Sequence, residues 1–82
     1  MRHETIADVL GEVRARRTQS DMGDIVGVKG QTWGRYERGR PVSAEIVEKL
    51  CRWYATERGP DAADELRLRL LRAAAPFIEE SE

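Results

Sequence analysis

The chain has 82 residues, 40% of them hydrophobic and 35% charged, which is enough for one small domain and leaves no room for a catalytic domain beside a regulatory one. A single cysteine, Cys51, and a single histidine, His3, exclude a disulfide framework and a zinc site built on those ligands. No apolar run is long enough for a membrane span, no charged-then-apolar start marks a signal peptide, and a net charge of −1 speaks against a nucleic-acid partner, so the expectation is a soluble intracellular domain.

The pattern is helical throughout, because Ala, Leu, Glu and Arg are common and period-two alternation is absent. Ile6, Val9, Leu10 and Val13 recur at i, i+3, i+4 and i+7, and Thr5 with Asp8 has the spacing of a capping box. The first helix is therefore predicted over about 6–17. Thr18 with Asp21 repeats the cap and opens a second helix over about 19–26, with Met22, Ile25 and Val26 for the core. Gly27 stops it, since the position after a helix favours a left-handed residue. A third helix spans about 30–38 and ends at Gly39, and Pro41 prevents its continuation. Ser43 caps a fourth, about 44–56, with Ile46, Val47, Leu50, Trp53 and Tyr54 on one stripe and Cys51 buried beside it. Gly59-Pro60 breaks the chain before a fifth helix over about 61–75. There Ala63, Leu66, Leu70, Ala73 and Phe77 share a face, Leu68 and Leu71 widen it, and Pro76 interrupts it. Glu79, Glu80, Ser81 and Glu82 read as a frayed acidic tail, and His3 has no partner motif.

Following the charge along the chain changes its meaning. Residues 14–40 hold Arg14, Arg16, Arg17, Lys29, Arg35, Arg38 and Arg40 against Asp21, Asp24 and Glu37, a net of +4 inside acidic flanks. Charges more than about 8–10 Å apart are largely screened, so the local block sets the field at a binding surface. A solvated basic face would have the same composition.

The second and third helices with their tight turn make a helix-turn-helix pattern. Thr18-Gln19, Gly27-Val28 and Glu37-Arg38-Gly39 stand in a gapless 22-residue frame that resembles the DNA-binding core of the phage-repressor/Cro-like (XRE-type) family, T-Q-x-x-L-A-x-x-x-G-V-S-x-x-x-I-S-x-x-E-x-G. With helices 1 and 4 in place, the resemblance covers about residues 5–55. It implies an all-α, compact five-helix lambda-repressor-like DNA-binding domain. Residues 1–58 are expected to form the DNA-binding domain, and 59–82 a C-terminal helix and acidic tail, with two readings open for that helix: a dimerisation segment, or a fifth helix that closes the core of the same chain.

The resemblance also assigns roles. Gly23 stands where the family has Ala, at a close approach of two helices. Gly27 permits the turn. Trp33 and Tyr36 stand at core positions, with stacking on bases as the alternative, and Gly23 and Gly34 are expected to make space for the large indole. Lys29 departs from the family, replacing the Ser or Thr that caps the recognition helix. The Gly-Leu that precedes Thr-Gln in the family is missing too, so helix 1 is joined more tightly. Glu37 is expected to pair with an Arg of helix 1, here Arg14, with a solvated Glu37 as the alternative.

In such a motif the second helix lies in the major groove with its N-terminal residues at base edges. Gln31, Thr32 and Arg35 are thus the candidate base readers: Gln suits adenine, Arg suits guanine and the Thr methyl suits the thymine methyl. Gln19, Lys29, Gly30, Arg38 and Arg40, with Arg16 and Arg17, are the candidate backbone contacts. The implied partner is double-stranded DNA with an operator-like site, bound by a homodimer in the cytoplasm of a bacterial or phage-infected cell. No cofactor, metal or catalytic residue is expected. The implied function is a transcriptional regulator, a repressor. The alternatives are an antitoxin that also binds its own promoter and meets its toxin through the C-terminal helix, and a protein-interaction adaptor on the same fold.

Overall fold

A computed structural model describes residues 4–80, and the side chains of residues 4–73. Among the described residues there are five helices and no strand: α1 (Ile6–Arg14), α2 (Gln19–Val26), α3 (Gly30–Glu37), α4 (Ala44–Arg58) and α5 (Pro60–Glu80). None of these helices is long and apolar enough to cross a membrane.

Both capping boxes form. The Thr5 hydroxyl accepts from the Asp8 N–H at 3.1 Å while Asp8 accepts from the Thr5 N–H, and Thr18 with Asp21 repeats the exchange at 3.0 and 3.1 Å. Ser43 accepts from the Ile46 N–H and opens α4. The helix ends differ from the sequence expectation, each for a local reason. α1 stops at Arg14 rather than about residue 17, because Ala15 has φ 51° and ψ −115° and the Arg17 N–H donates to the Arg14 carbonyl at 2.9 Å. Those are the dihedrals of the first central position of a type II′ turn. The reversal leaves Thr18 free to cap α2.

α4 runs two residues further than the expected end at 56, to Arg58, and Gly59 alone separates it from α5. Gly59 closes one helix through its N–H on Ala55 and opens the next through its carbonyl, which accepts from Ala63. Pro60 sits at the first position of α5, where a missing N–H costs nothing. Pro76 does not interrupt α5, and Glu79 and Glu80 are helical rather than a frayed tail. A proline inside a helix forfeits one backbone hydrogen bond and crowds the preceding turn, which can bend a helix without ending it. Phe77, placed on the core face by the pattern, has a side chain outside the described residues. So do His3, Ser81 and Glu82 as a whole.

One core joins all five helices: Val9, Leu10 and Val13 of α1, Met22 and Val26 of α2, Trp33 and Tyr36 of α3, Ile46, Leu50 and Cys51 of α4, and Leu66 and Leu70 of α5. Trp33 is fully enclosed and meets Tyr36 edge to face, ring centroids 6.4 Å apart. That geometry places both rings in the core and not on a base-stacking surface. Burial raises the Cys51 thiol above its ordinary pKa. α5 lies against α4 and α1 through Ala63, Leu66 and Leu70. Leu68 and Leu71 do not widen that face. They lie on the opposite side of the helix, 51% and 58% exposed.

Ion pairs fasten α5 to the bundle from outside. Arg69 donates to Glu4 and to both Glu12 oxygens, and Arg67 donates to Glu48. The hydrogen bond from Arg69, with its charge, holds the Glu12 carboxyl below its ordinary range, and Arg67 does the same for Glu48.

Candidate nucleic-acid interface

Two helices of eight residues each, α2 and α3, are joined by residues 27–29. Gly27 has φ 80° and ψ 30°, and the Val28 N–H donates to the Gly23 carbonyl at 2.8 Å, a six-to-one closure of the helix end. The turn then folds back on α2 more closely than a side chain would permit. A Cβ on Gly23 would lie 2.5 Å from the Val28 carbonyl oxygen and 3.0 Å from the Gly30 nitrogen. A Cβ on Gly30 would lie 2.9 Å from the Ser20 Cα. The two glycines therefore let the helix pair meet backbone to backbone. Gly30, read from the sequence only as a phosphate contact, has this packing role as well. A glycine at the first position of a helix was the signal.

The expectation that Gly23 and Gly34 make space for Trp33 is not what the geometry shows. The nearest atoms to a Cβ on Gly34 belong to the Gln19 amide, Oε1 at 2.9 Å and Cδ at 3.2 Å, and those nearest Gly23 are backbone. Gly34 makes room for Gln19.

α3 divides by face. Trp33, Gly34 and Tyr36 are buried, Glu37 is half-buried, and Gln31, Arg35 and Arg38 are exposed along one line at i, i+4 and i+7, with half-buried Thr32 beside them. Lys29 precedes the helix with no side-chain cap, and its carbonyl accepts from the Thr32 and Trp33 N–H groups at 3.0 and 3.1 Å, so Gly30 and Gln31 are the first-turn residues whose N–H groups this carbonyl does not take. At the other end Gly39 has φ 106°, its N–H donates to Tyr36, and the Arg40 N–H donates to the Arg35 carbonyl at 3.0 Å. This Schellman closure wraps the chain tightly after α3 and keeps Arg40 near Arg35 and Arg38.

Beneath that face Glu37 gathers four donors. Arg14 gives it Nε at 2.7 Å and Nη2 at 3.2 Å, Gln19 gives Nε2 at 3.4 Å, and the Trp33 indole N–H completes the set. The pairing with Arg14 is the one the resemblance implies. Arg14 also donates to the Arg17 carbonyl, so one guanidinium fixes the α1–α2 turn and the end of α3 together. Burial alone would raise the Glu37 carboxyl. The hydrogen bonds from Arg14 and Trp33, with the Arg14 charge, outweigh it and hold the group below its ordinary value, so Glu37 is ionised and neutralised at once. Gln19, a candidate backbone contact, is turned inward and half-buried in this network, a placement the sequence did not indicate.

The remaining basic residues separate cleanly. Arg17 donates to Glu57 at 3.0 Å and lies over the Trp53 ring at 4.9 Å, which ties it to the end of α4. Arg16, Lys29, Arg35, Arg38 and Arg40 are exposed and form no ion pair among the described residues. Among the described residues no cluster of three or more His, Cys, Asp or Glu could hold a metal.

A short helix, a left-handed turn and a second helix with a polar, basic outer face, seated on a common core, define a helix-turn-helix domain. The chain belongs to the helix-turn-helix domain family, whose model matches residues 5–66, from the cap of α1 into α5. That is consistent with the phage-repressor/Cro-like resemblance, and it points to a DNA-binding regulator. No curated protein and no solved structure matches the chain.

Proposed function

We propose that this protein is a sequence-specific transcriptional regulator that inserts α3 into the major groove and represses by occupying an operator. The observation that carries the reading is the sorting of charge around α3. The one carboxylate at its end is neutralised by Arg14, while Arg35, Arg38 and Arg40 are exposed and unpaired among the described residues. Gln31, Thr32 and Arg35 read base edges, Arg35 taking guanine O6 and N7 and Gln31 taking adenine. Arg16, Lys29, Arg38 and Arg40 take phosphates, with the N–H groups of Gly30 and Gln31 at the start of α3. Gln19 acts from behind, through Glu37, and Arg17 supports the fold. Two copies bind two half-sites about 34 Å apart.

A salt titration tests this. Two copies placing those four basic groups each on phosphate give a log K against log[salt] slope of roughly −7. Absence of binding to a random-sequence duplex pool at low salt would overturn the reading. Selection from the same pool should recover a site with a guanine whose preference is lost in Arg35→Ala.

A further inference from the structure

We propose that a cavity beside the end of α3 binds a small amphipathic carboxylate, and that the bound carboxylate takes Arg38 and Arg40 away from DNA phosphate. The competition rests on the DNA reading above; the binding site does not. The cavity has a volume of about 660 Å³ and lies between the start of α1, the link from α3 to α4, and α5. Small-molecule sites are commonly of roughly 300–1,000 Å³. Small residues leave this space. Ala7 of α1 and Ala73 of α5 line it, and so does Gly39 in the link, where a Cβ would meet nothing within 4 Å. Half-buried Ile6 and Val42, both packed on the core, add apolar wall. Walls of this kind take an alkyl body out of water.

The polar groups set the charge of the ligand. Tyr36 lines the cavity and is only 8% exposed, yet its hydroxyl has no hydrogen-bond partner among the described residues. It is not sealed off, because no fully buried side-chain oxygen among the described residues lacks a partner. A tyrosine this deep ordinarily has its hydroxyl satisfied, so this one is left to an acceptor that enters from outside. Arg38 and Arg40 line the same cavity, exposed and without an ion pair among the described residues. Glu37 lines it too, but Arg14, Gln19 and Trp33 already hold its carboxylate and Arg14 meets its charge. The uncompensated charge is therefore positive. A carboxylate accepts from a guanidinium fork and from a phenol at once, whereas an ammonium would meet two like charges. Arg38 and Arg40 are also phosphate contacts of the proposed DNA face. They cannot serve both anions fully, so ligand and DNA weaken each other by the same factor.

Titration calorimetry of the full chain without DNA tests the site, with hexanoate, octanoate and decanoate as probes. One molecule should bind per chain, with affinity rising about fourfold for each added methylene. Octylammonium, with the same alkyl chain and the opposite charge, should not bind. Tyr36→Phe should lower octanoate affinity about three- to tenfold with the melting temperature unchanged, since the hydroxyl holds nothing in the fold. Ala7→Phe and Ala73→Phe fill the cavity from two different helices and should each abolish binding. Absence of carboxylate binding overturns the proposal. So does binding that both filling variants leave intact, or octylammonium binding as tightly as octanoate. A random-sequence duplex at low salt then reads the competition. Decanoate should weaken DNA binding by the wild-type chain and have no effect on Ala7→Phe. Carboxylate binding that leaves DNA affinity unchanged overturns the competition. A duplex that fails to bind while carboxylates still do overturns the DNA reading, and the competition with it, and upholds the site.

Discussion

The Glu37 carboxylate accepts the Arg14 Nε hydrogen at 2.7 Å and so ties the end of α3 to the end of α1 across 23 residues of sequence. The same carboxylate holds Gln19 of α2 and Trp33 of α3 itself, so three helices share one anion. Removing either partner leaves the other half-buried without its counter-charge, and removing both relieves that. A double-mutant cycle on Arg14→Ala and Glu37→Ala should therefore show coupling. The double variant loses less stability than the two single losses together, measured by denaturant unfolding. Additive losses would mean the pair is only a surface contact.

The same network sets an acid limit on stability. Glu37 has a folded pKa below its unfolded value of about 4.3. Its contribution is therefore complete above that unfolded value and is lost as the pH falls through the lower folded value, where the unfolded chain takes up the proton first. Glu37→Gln should flatten the fall in stability between about pH 5 and pH 3 and lower the plateau above it. Thermal unfolding across that range checks both.

Glycine to alanine should act with opposite sign at two helical positions. Gly11 lies inside α1 with nothing within 4 Å of where a Cβ would be, so Gly11→Ala gains helix propensity of about 1 kcal/mol. Gly23→Ala gains the same propensity, but its Cβ would lie 2.5 Å from a backbone carbonyl that cannot rotate away. Overpacking of this kind costs about 1–3 kcal/mol, and movement of the turn would re-aim α3 as well. The variant should be less stable and weaker on DNA, although alanine is usual at that place in the family. Urea midpoints of the two variants decide the signs.

Much of this was legible in the sequence because local chemistry dictated it. Thr5-Asp8 and Thr18-Asp21 specify helix starts without help from the rest of the chain, and a left-handed glycine specifies the turn. Glu37 stood out as an acid in a basic block. Three things were not legible. The end of α1 depends on a turn at Ala15 that no glycine advertises. The place of Leu68 and Leu71 depends on which stripe of α5 meets α4, and a leucine-rich helix offers more than one. Gln19 and Arg17 each have two destinations, a phosphate or a protein acceptor. The acceptors, Glu37 and Glu57, are 18 and 40 residues away in sequence and are brought close only by the fold.

Ala15 itself offers a stabilising change. Its φ of 51° with ψ of −115° is a conformation that glycine adopts freely and an L side chain resists. The hydrogen bond from Arg17 to Arg14 and the capping of α2 hold it there. Ala15→Gly should raise stability by about 1 kcal/mol, the relief of local strain exceeding the added freedom of the unfolded chain. The melting temperature reads the change directly, and a fall would mean that the turn carries no strain.

Two arginines that look equivalent in the sequence should separate in their effects. Arg40 is exposed, unpaired among the described residues, and fixed beside Arg35 and Arg38 by its own backbone hydrogen bond. Arg17 is held between Glu57 and the Trp53 ring. Arg40→Ala should weaken all DNA sequences alike and reduce the magnitude of the salt slope by about one per bound subunit, with stability unchanged. Arg17→Ala should leave that slope intact and cost only about 1 kcal/mol of stability, since an exposed ion pair and a surface cation–π contact are each worth little. Salt titrations of the two variants beside their melting curves distinguish the roles. A slope reduced equally by both would return Arg17 to the DNA face.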